Sequence, residues 1–521
     1  MSYSDVKRHI VKNAMSNYVR TFVASTVGLV TFRLLYQSFS KEEFGFWSLL
    51  WSVFGYGILL DFGFGFAAQK RVAELSVSQD WPQLSRVLST ILVFYTALAG
   101  TLATIIALVS GAIVPWFGIG PDHAAEFRIA LIVFFAAIGL AFPMGIFPEI
   151  LRGQQRIRLV NYLLTTAMIL RLGVTWAALH WHWGFMSILL TSLFFSLAPD
   201  LAAAFFALRS LPGVKLSPRL FSLRVMRETF AFSVFAYIST ATNMVLGKTD
   251  QLVLGATLGV VGVALYQAGN KVAEVFATFT KQLQDTLSPA AAHLHAMGDH
   301  HALRKLLVQG TRWSAMIATP LYLLCAFYLT ELLQLLTGDS HIDSQTWWVG
   351  QTLLFWFYTS TLTHSVSKRV YMMTGHERTL MRMGLGEAGI NLALSIALVL
   401  IFRNVLGVAL GSLVPTLLYG WFYLWPWMAR DAEMSGAALF RRTILSIWVA
   451  CFPLVALLTA VAYVPALKFS KPWLTLLVHG APAGLCAIAL LWFYALTDEE
   501  RANLSRRFPK FFRPDSQTQA A

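Results

Sequence analysis

The sequence predicts an all-α, polytopic membrane protein of about fourteen transmembrane helices, arranged as two pseudo-symmetric six-helix bundles plus two C-terminal helices. Three observations predict it: the composition is too apolar for water, the apolar residues come in serial runs of spanning length, and the basic residues alternate between those runs.

Of 521 residues, 57% are hydrophobic and 13% charged, and the mean hydropathy is +0.61. Soluble domains hold roughly 45–50% apolar and about 25% charged residues. A soluble chain with this balance would expose its excess apolar surface, whereas a bilayer acts as an apolar solvent for it.

About 20 apolar residues at ~1.5 Å rise cross a hydrocarbon core. Fourteen segments meet that length: 14–39, 44–68, 88–113, 129–148, 159–180, 185–208, 228–257, 262–287, 312–336, 346–368, 382–402, 406–428, 443–463 and 473–496. Lys248, Thr249 and Asp250 interrupt the seventh. The piece after them is too short to span, so 228–257 stays whole and Gly259 to Gly262 becomes a tight turn.

Lys and Arg in short loops set orientation. With the N-terminus in the cytoplasm, the inner segments hold 29 of the 40 basic residues. The outer connections hold five: Lys41, Arg128, Arg403, Lys468 and Lys471. A wrong helix count would scramble this split. Both termini are therefore expected in the cytoplasm, with the chain in a bacterial cytoplasmic (inner) membrane. Met1 to Asn13 is polar and basic and lacks a cleavage pattern, so the first span reads as retained. The expected organisation is a bundle at 1–208, a cytoplasmic linker at 209–227, a bundle at 228–428, two additional helices at 429–496 and a basic tail at 497–521.

The net charge of +14 forms no single stripe and accompanies no nucleic-acid motif, so no nucleic-acid partner is expected. Cys325, Cys451 and Cys486 each lie inside an apolar run without a CxxC pair. His293, His295, His300 and His301 could suggest zinc, but no cysteine joins them and they read as a solvated loop. No metal and no cofactor is expected.

An internal repeat runs through the chain. Glu43-Phe44-Gly45-Phe46-Trp47 matches Val260-Val261-Gly262-Val263-Ala264, Asp80 and Leu84 match Asp299 and Leu303, and Leu151-Arg152-Gly153-Gln154 matches Met373-Thr374-Gly375-His376. The offsets are 217, 219 and 222. Six helices per half give both halves the same orientation, as in parallel-repeat transporters.

Three stretches carry a family resemblance. They are Ser40-Lys41-Glu42-Glu43-Phe44-Gly45-Phe46-Trp47-Ser48-Leu49 with Leu59-Leu60-Asp61-Phe62-Gly63-Phe64-Gly65; Leu151-Arg152-Gly153-Gln154-Gln155-Arg156; and Lys248-Thr249-Asp250-Gln251-Leu252-Val253-Leu254-Gly255 followed by Tyr266-Gln267-Ala268-Gly269-Asn270-Lys271. Over roughly residues 10–430 the chain resembles the multidrug/oligosaccharidyl-lipid/polysaccharide (MOP) exporter superfamily, and within it the Wzx-type polysaccharide flippases. Fourteen helices also match lipid II flippases. The resemblance implies two bundles around a cavity open alternately to each side. It implies a polyprenyl-diphosphate-linked oligosaccharide as substrate, with its tail left among the membrane lipids. The polysaccharide polymerase machinery is a further expected partner.

A diphosphate crossing hydrocarbon needs a hydrated, cationic path. Charges inside spans are costly and so mark functional candidates. The cavity candidates for substrate are Arg33, Arg171, Lys248, Asp250 and Lys271. Arg33 and Asp250 are repeat mates, and with Lys248 they read either as an outer-half cavity cluster or as a static salt bridge. Arg171 is mid-span and reads either as a diphosphate contact or as a partner of Asp200. Lys271 and Glu274 can share a helix face and neutralise each other. Arg20 and Asp61 lie at similar depth and read as a structural pair; Lys281 and Asp285 read as an interfacial one. Ion-coupling candidates are Asp61, Asp200, Glu274 and Glu387.

The functional expectation is a flippase for cell-surface polysaccharide assembly that performs no covalent chemistry. The alternatives are a cation-coupled drug or metabolite antiporter of the same superfamily, a lipid II flippase and a membrane polysaccharide polymerase. The polymerase would need large outer loops or a cytosolic domain, and the sequence provides neither.

Overall fold

The computed structural model describes residues 3–496, apart from 118, 120, 286, 463–468 and 470, together with residue 501. The described residues contain helices and turns and no strand. The first part runs α1 (Tyr3–Ser38), α2 (Lys41–Leu60), α3 (Phe64–Val77), α4 (Trp81–Trp116), α5 (Pro121–Gly153), α6 (Ile157–His180), α7 (Phe185–Ser210) and α8 (Leu223–Asp285). It continues with α9 (Leu287–Ala296), α10 (His300–Phe327), α11 (Leu329–Thr337), α12 (Ser344–Ser360), α13 (Val366–Met373), α14 (Glu377–Phe402), α15 (Leu406–Leu418) and α16 (Trp425–Asp431). The chain closes with α17 (Gly436–Phe440), α18 (Ser446–Ala462), α19 (Pro472–Thr475) and α20 (Ala481–Leu490).

Among the described residues, ten helices are long and apolar enough to cross a membrane, or eleven if the bent pair α10–α11 counts as one span. Several of the expected spans carry local breaks or irregular turns. The span expected at 44–68 is broken after Leu60. Phe62 and Gly63 take positive φ (49° and 76°), so α2 ends and α3 begins anew. Within α8, the spans expected at 228–257 and 262–287 are two helices that meet at a kink at Gly259. Its φ of 74° and ψ of −178° suit only glycine. The break thus falls at the start of the tight turn read from the sequence. Spans 346–368, 406–428, 443–463 and 473–496 each contain π-helical turns, among them Thr361–Ser365, Tyr419–Leu424, Arg441–Leu445 and Leu476–Gly480.

The chain divides into two compact units. One comprises residues 1–268, 336–338 and 384–411; the other comprises 269–335, 339–383 and 412–521. In the first unit α5 packs against α3, α4 and α7, while α6 packs against α1 and α7. Two apolar cores hold it. Ala68, Leu84, Leu88, Leu151 and Ala207 belong to one, and Phe46, Leu50, Phe127, Phe134 and Leu189 to the other. Phe46 stacks on Phe127 at 4.3 Å and 3°. In the second unit α18 and α20 pack against α10, and Tyr328, Leu454, Leu458, Ala483 and Ala487 form the shared core.

The repeat has a local structural signature. Gln79 takes positive φ, Asp80 N–H closes onto Leu75 C=O at 3.1 Å, and the Asp80 carboxylate caps α4 by accepting from Gln83 N–H at 3.0 Å. Gly298, Asp299, Leu294 and Ala302 repeat this at 3.1 and 2.9 Å ahead of α10. The offset is the 219 read from the sequence. The turn at Leu151–Arg156 closes as Tyr371–His376 does, with bonds of 2.9 and 3.0 Å, an offset of 220 rather than 222. Such left-handed closures are common at helix ends, and Ala178–Trp183 and Ala429–Met434 share it. The added Asp cap is what distinguishes the matched pair from generic helix ends.

Candidate functional site

The first unit encloses a cavity of about 720 Å³. Its walls come from the end of α2 (Phe54, Gly55), the α2–α3 break and α3 (Asp61, Gly65, Gln69), α4 (Tyr95), α5 (Ile138 to Arg152) and α7 (Asp200). Three carboxylates, Asp61, Glu149 and Asp200, face one guanidinium, Arg152.

Each charged group is placed by a local feature. The helix break puts Asp61 just ahead of α3, where its carboxylate accepts from Gly65 N–H at 3.1 Å, satisfying a first-turn donor. The Tyr95 hydroxyl also donates to Asp61. Gly65 lies between two acids: a Cβ there would stand 3.4 Å from both the Asp61 carboxylate and Glu149 Cγ. Glu149 and Asp200 each follow a proline inside a helix, Pro148 in α5 and Pro199 in α7. Proline removes one intrahelical donor, leaving a backbone carbonyl four residues earlier without its usual partner. Arg152, one turn after Glu149, forms an ion pair with it.

Chemically this is a largely apolar cavity whose charged groups are more acid than base. Carboxylates and a phenol suit a hard monovalent cation or exchangeable protons. No group of three His, Cys, Asp or Glu side chains converges at metal-ligand spacing among the described residues.

The structure brings Asp61 and Asp200 together in this cavity and adds Glu149, which the sequence reading left just outside a span. The expected Arg20–Asp61 pair does not form. Arg20 Nε is buried without a hydrogen-bond partner, and Asp61 is taken by Tyr95 and Gly65. The expected Arg171–Asp200 pair is likewise absent. Arg171 lies on α6 with its Cζ 5.7 Å from the Trp51 ring centroid, and no ion pair reaches it among the described residues. The Trp51 indole took its place as a neutral, polarisable partner.

The remaining candidates lie on α1, α8 and α14. Asp250 is 4% exposed and accepts from Tyr266 Oη, while Arg33 is half-buried on α1. The Lys248 and Asp285 side chains lie outside the described residues, as does the tail 502–521. Lys271 and Glu274 pair at 2.8 Å on α8, the carboxylate 44% exposed, as their spacing predicts. Glu387 is buried on α14 at 2% exposure.

Tyr95 and Glu149 were missed for different reasons. Glu149 sits at a span's inner end beside Arg152, which reads as an ordinary surface pair. Its proline neighbour, shared with Asp200, is the signal that could have found it. Tyr95 reads as one aromatic among 72.

A family profile described as polysaccharide biosynthesis protein matches residues 10–282, more than half of the chain. No curated protein matches by sequence. The lipid II flippase MurJ, in an inward closed conformation, superposes with a TM-score of 0.72 at 12% identity, covering 96% of this chain and 100% of MurJ. An inward-facing multidrug resistance MATE transporter of the MOP superfamily gives 0.60 at 13% identity, covering 79% and 96%. A MOP superfamily transporter from Pyrococcus furiosus gives 0.55 at 14%, covering 83% and 96%. The chain belongs to the polysaccharide biosynthesis protein family and is a multi-pass, all-helical membrane protein with the fold of the MOP flippases and transporters.

Proposed function

We propose that the protein is a flippase that moves a polyprenyl-diphosphate-linked oligosaccharide across the cytoplasmic membrane by alternating access, for cell-surface polysaccharide assembly. Both termini lie in the cytoplasm in this reading, following the 29-to-5 distribution of basic residues.

The observation that carries the proposal is Arg171. A guanidinium stays protonated at any accessible pH. Holding one at mid-span costs about 2.5–3.5 kcal/mol on insertion scales. Contact with the Trp51 face returns about 0.5–2 kcal/mol. Among the described residues no acidic side chain pairs with it, so the site has capacity for an anion. A lipid diphosphate supplies one, and the planar guanidinium fork matches phosphate oxygens.

The Asp61–Glu149–Asp200 cavity is assigned to ion coupling. A proton or Na⁺ bound among these acids would shift the equilibrium between conformations by its differential affinity for them. Arg152, bound to Glu149, acts as a tethered competitor for the incoming cation. The acidity of this cavity also favours a second reading, a cation-coupled antiporter for cationic drugs or metabolites.

The test is reconstitution in liposomes with a fluorescent polyprenyl-diphosphate oligosaccharide, read by access of an external glycosidase under imposed H⁺ or Na⁺ gradients. Acceleration over empty liposomes supports the flippase. Efflux of a cationic dye with no movement of the glycolipid supports the antiporter instead.

A further inference from the structure

A second cavity, of about 390 Å³, lies in the other unit between α11 and the first turn of α12. Its construction begins with a bend. Helix α11 leaves α10 at 69° after Tyr328. Leu329 and Leu333 turn inward and are fully buried. Thr330 and Gln334, four residues apart and so on one helix face, turn toward the cavity. Gln334 Nε2 donates to Ser340 C=O at 2.7 Å, which ties the following loop back over α11. Asp343 then starts α12 by accepting from Gln345 N–H at 2.8 Å. The first turn of α12 delivers Ser344, Trp347 and Trp348 to the same cavity, and His341 lines it from the loop.

The two indoles meet edge to face, with centroids 4.9 Å apart at 86°. That geometry makes a corner rather than a stack, and Trp348 is 55% exposed. A corner of two aromatic planes faces polar groups that both donate and accept. Among the described residues no Lys, Arg, Asp or Glu lines the cavity. A charged ligand would find no counterion there. A purely apolar ligand would strand the hydroxyls and the imidazole. A sugar fits both demands. The C–H face of a pyranose carries partial positive charge toward the negative face of an indole, and its hydroxyls pair with groups of the kind at Thr330, Ser344 and His341. An interfacial Trp belt explains exposed tryptophans, but it requires neither a concavity nor converging polar groups.

We propose that this cavity is a saccharide-binding subsite, with Trp348 as the stacking platform and Trp347 as the side wall. The loop at 337–345 carries no Lys or Arg, whereas Arg304, Lys305 and Arg312 on α10, before α11, and Lys368 and Arg369 on α13, after α12, mark the other side. The subsite therefore belongs to the outer end, where the glycan of a translocated lipid emerges. Only that source of the sugar rests on the flippase reading; the binding does not.

The experiment uses the full-length protein in lipid nanodiscs. Saturation-transfer NMR is recorded with millimolar galactose, N-acetylglucosamine, maltose and diacetylchitobiose. The wild type gives transfer to pyranose C–H protons of at least one sugar. Trp348→Ala lowers that sugar's affinity about tenfold, as expected for loss of one stacking platform, and Trp348→Tyr restores most of it. A melting temperature matching the wild type shows that the variant folds. Absence of transfer from every sugar, or equal transfer in Trp348→Ala, overturns the subsite. Sugar binding without movement of the glycolipid in liposomes would remove the flippase reading and leave the subsite standing; transport without sugar binding would do the reverse.

Discussion

The Asp61 carboxylate accepts a hydrogen bond from the Tyr95 hydroxyl, joining the break between α2 and α3 to the middle of α4. Asp61 also holds the start of α3 through Gly65 N–H. In the proposed coupling role, a change in occupancy at this carboxylate would act on both helices. Replacing it should uncouple transport from its ion gradient. Asp61→Asn keeps the shape and one acceptor but removes the charge. Charge-assisted hydrogen bonds contribute about 1.5–3 kcal/mol, so gradient-driven transport should fall roughly 10- to 100-fold. Tyr95→Phe should fall less, and Glu149→Gln should behave like Asp61→Asn. Unchanged gradient dependence in all three, measured in liposomes, would remove the ion-coupling role of the cavity.

Arg171 permits a separate prediction because it touches none of these acids. Arg171→Ala should slow glycolipid movement about tenfold or more, the loss of one charge-assisted contact. Arg171→Lys should restore part of the rate, because charge is kept but the planar fork is lost. Ion binding to the acidic cavity, measured by calorimetry, should stay at the wild-type level. Trp51→Ala should mimic the slow phenotype more weakly.

The close approach of α2 and α8 gives a stability prediction. A Cβ on Gly45 would collide with the Val260 carbonyl, a backbone atom unable to move aside. Gly45→Ala should cost about 1–3 kcal/mol by overpacking and lower the melting temperature in detergent. Gly100→Ala is the control: nothing lies within 4 Å of its Cβ position in α4. There the substitution should be neutral or stabilising, because alanine is favoured over glycine in a helix by about 1 kcal/mol.

Orientation can be tested by labelling. In a background with Cys325, Cys451 and Cys486 replaced by serine, Arg219→Cys and Gly184→Cys are introduced one at a time. Both positions are exposed. A membrane-impermeant maleimide added to intact cells should label Gly184→Cys and spare Arg219→Cys. The reverse pattern would invert the topology read from the loop charges.

The fold class was legible because composition and the period of apolar runs act over the whole chain. The break at Gly259 was legible because only a residue tolerant of positive φ can turn there. The break after Leu60 was not, although Gly63 sits beside Asp61: an apolar run crosses it, and hydropathy cannot distinguish a helix that continues from one that restarts. The π-helical turns after Ser360 and Leu418 left no compositional trace either. Within the site, Asp61 and Asp200 were found because a carboxylate inside a span is conspicuous. Their partners were not, since depth along a helix does not determine its rotation. Arg20 shares a depth with Asp61, yet Tyr95 has the carboxylate, and Arg171 faces Trp51 rather than Asp200. Pairing across a bundle depends on helix azimuth, which a single sequence specifies only through packing.

Glycolipid movement in proteoliposomes under a controlled gradient tests the central claim most directly. The wild type should expose a fluorescent polyprenyl-diphosphate oligosaccharide to external glycosidase faster than empty liposomes. Asp61→Asn should abolish the response to the gradient, and Arg171→Ala should slow movement with the gradient present. A wild-type rate equal to that of empty liposomes, with H⁺ and Na⁺ gradients both supplied, would contradict it.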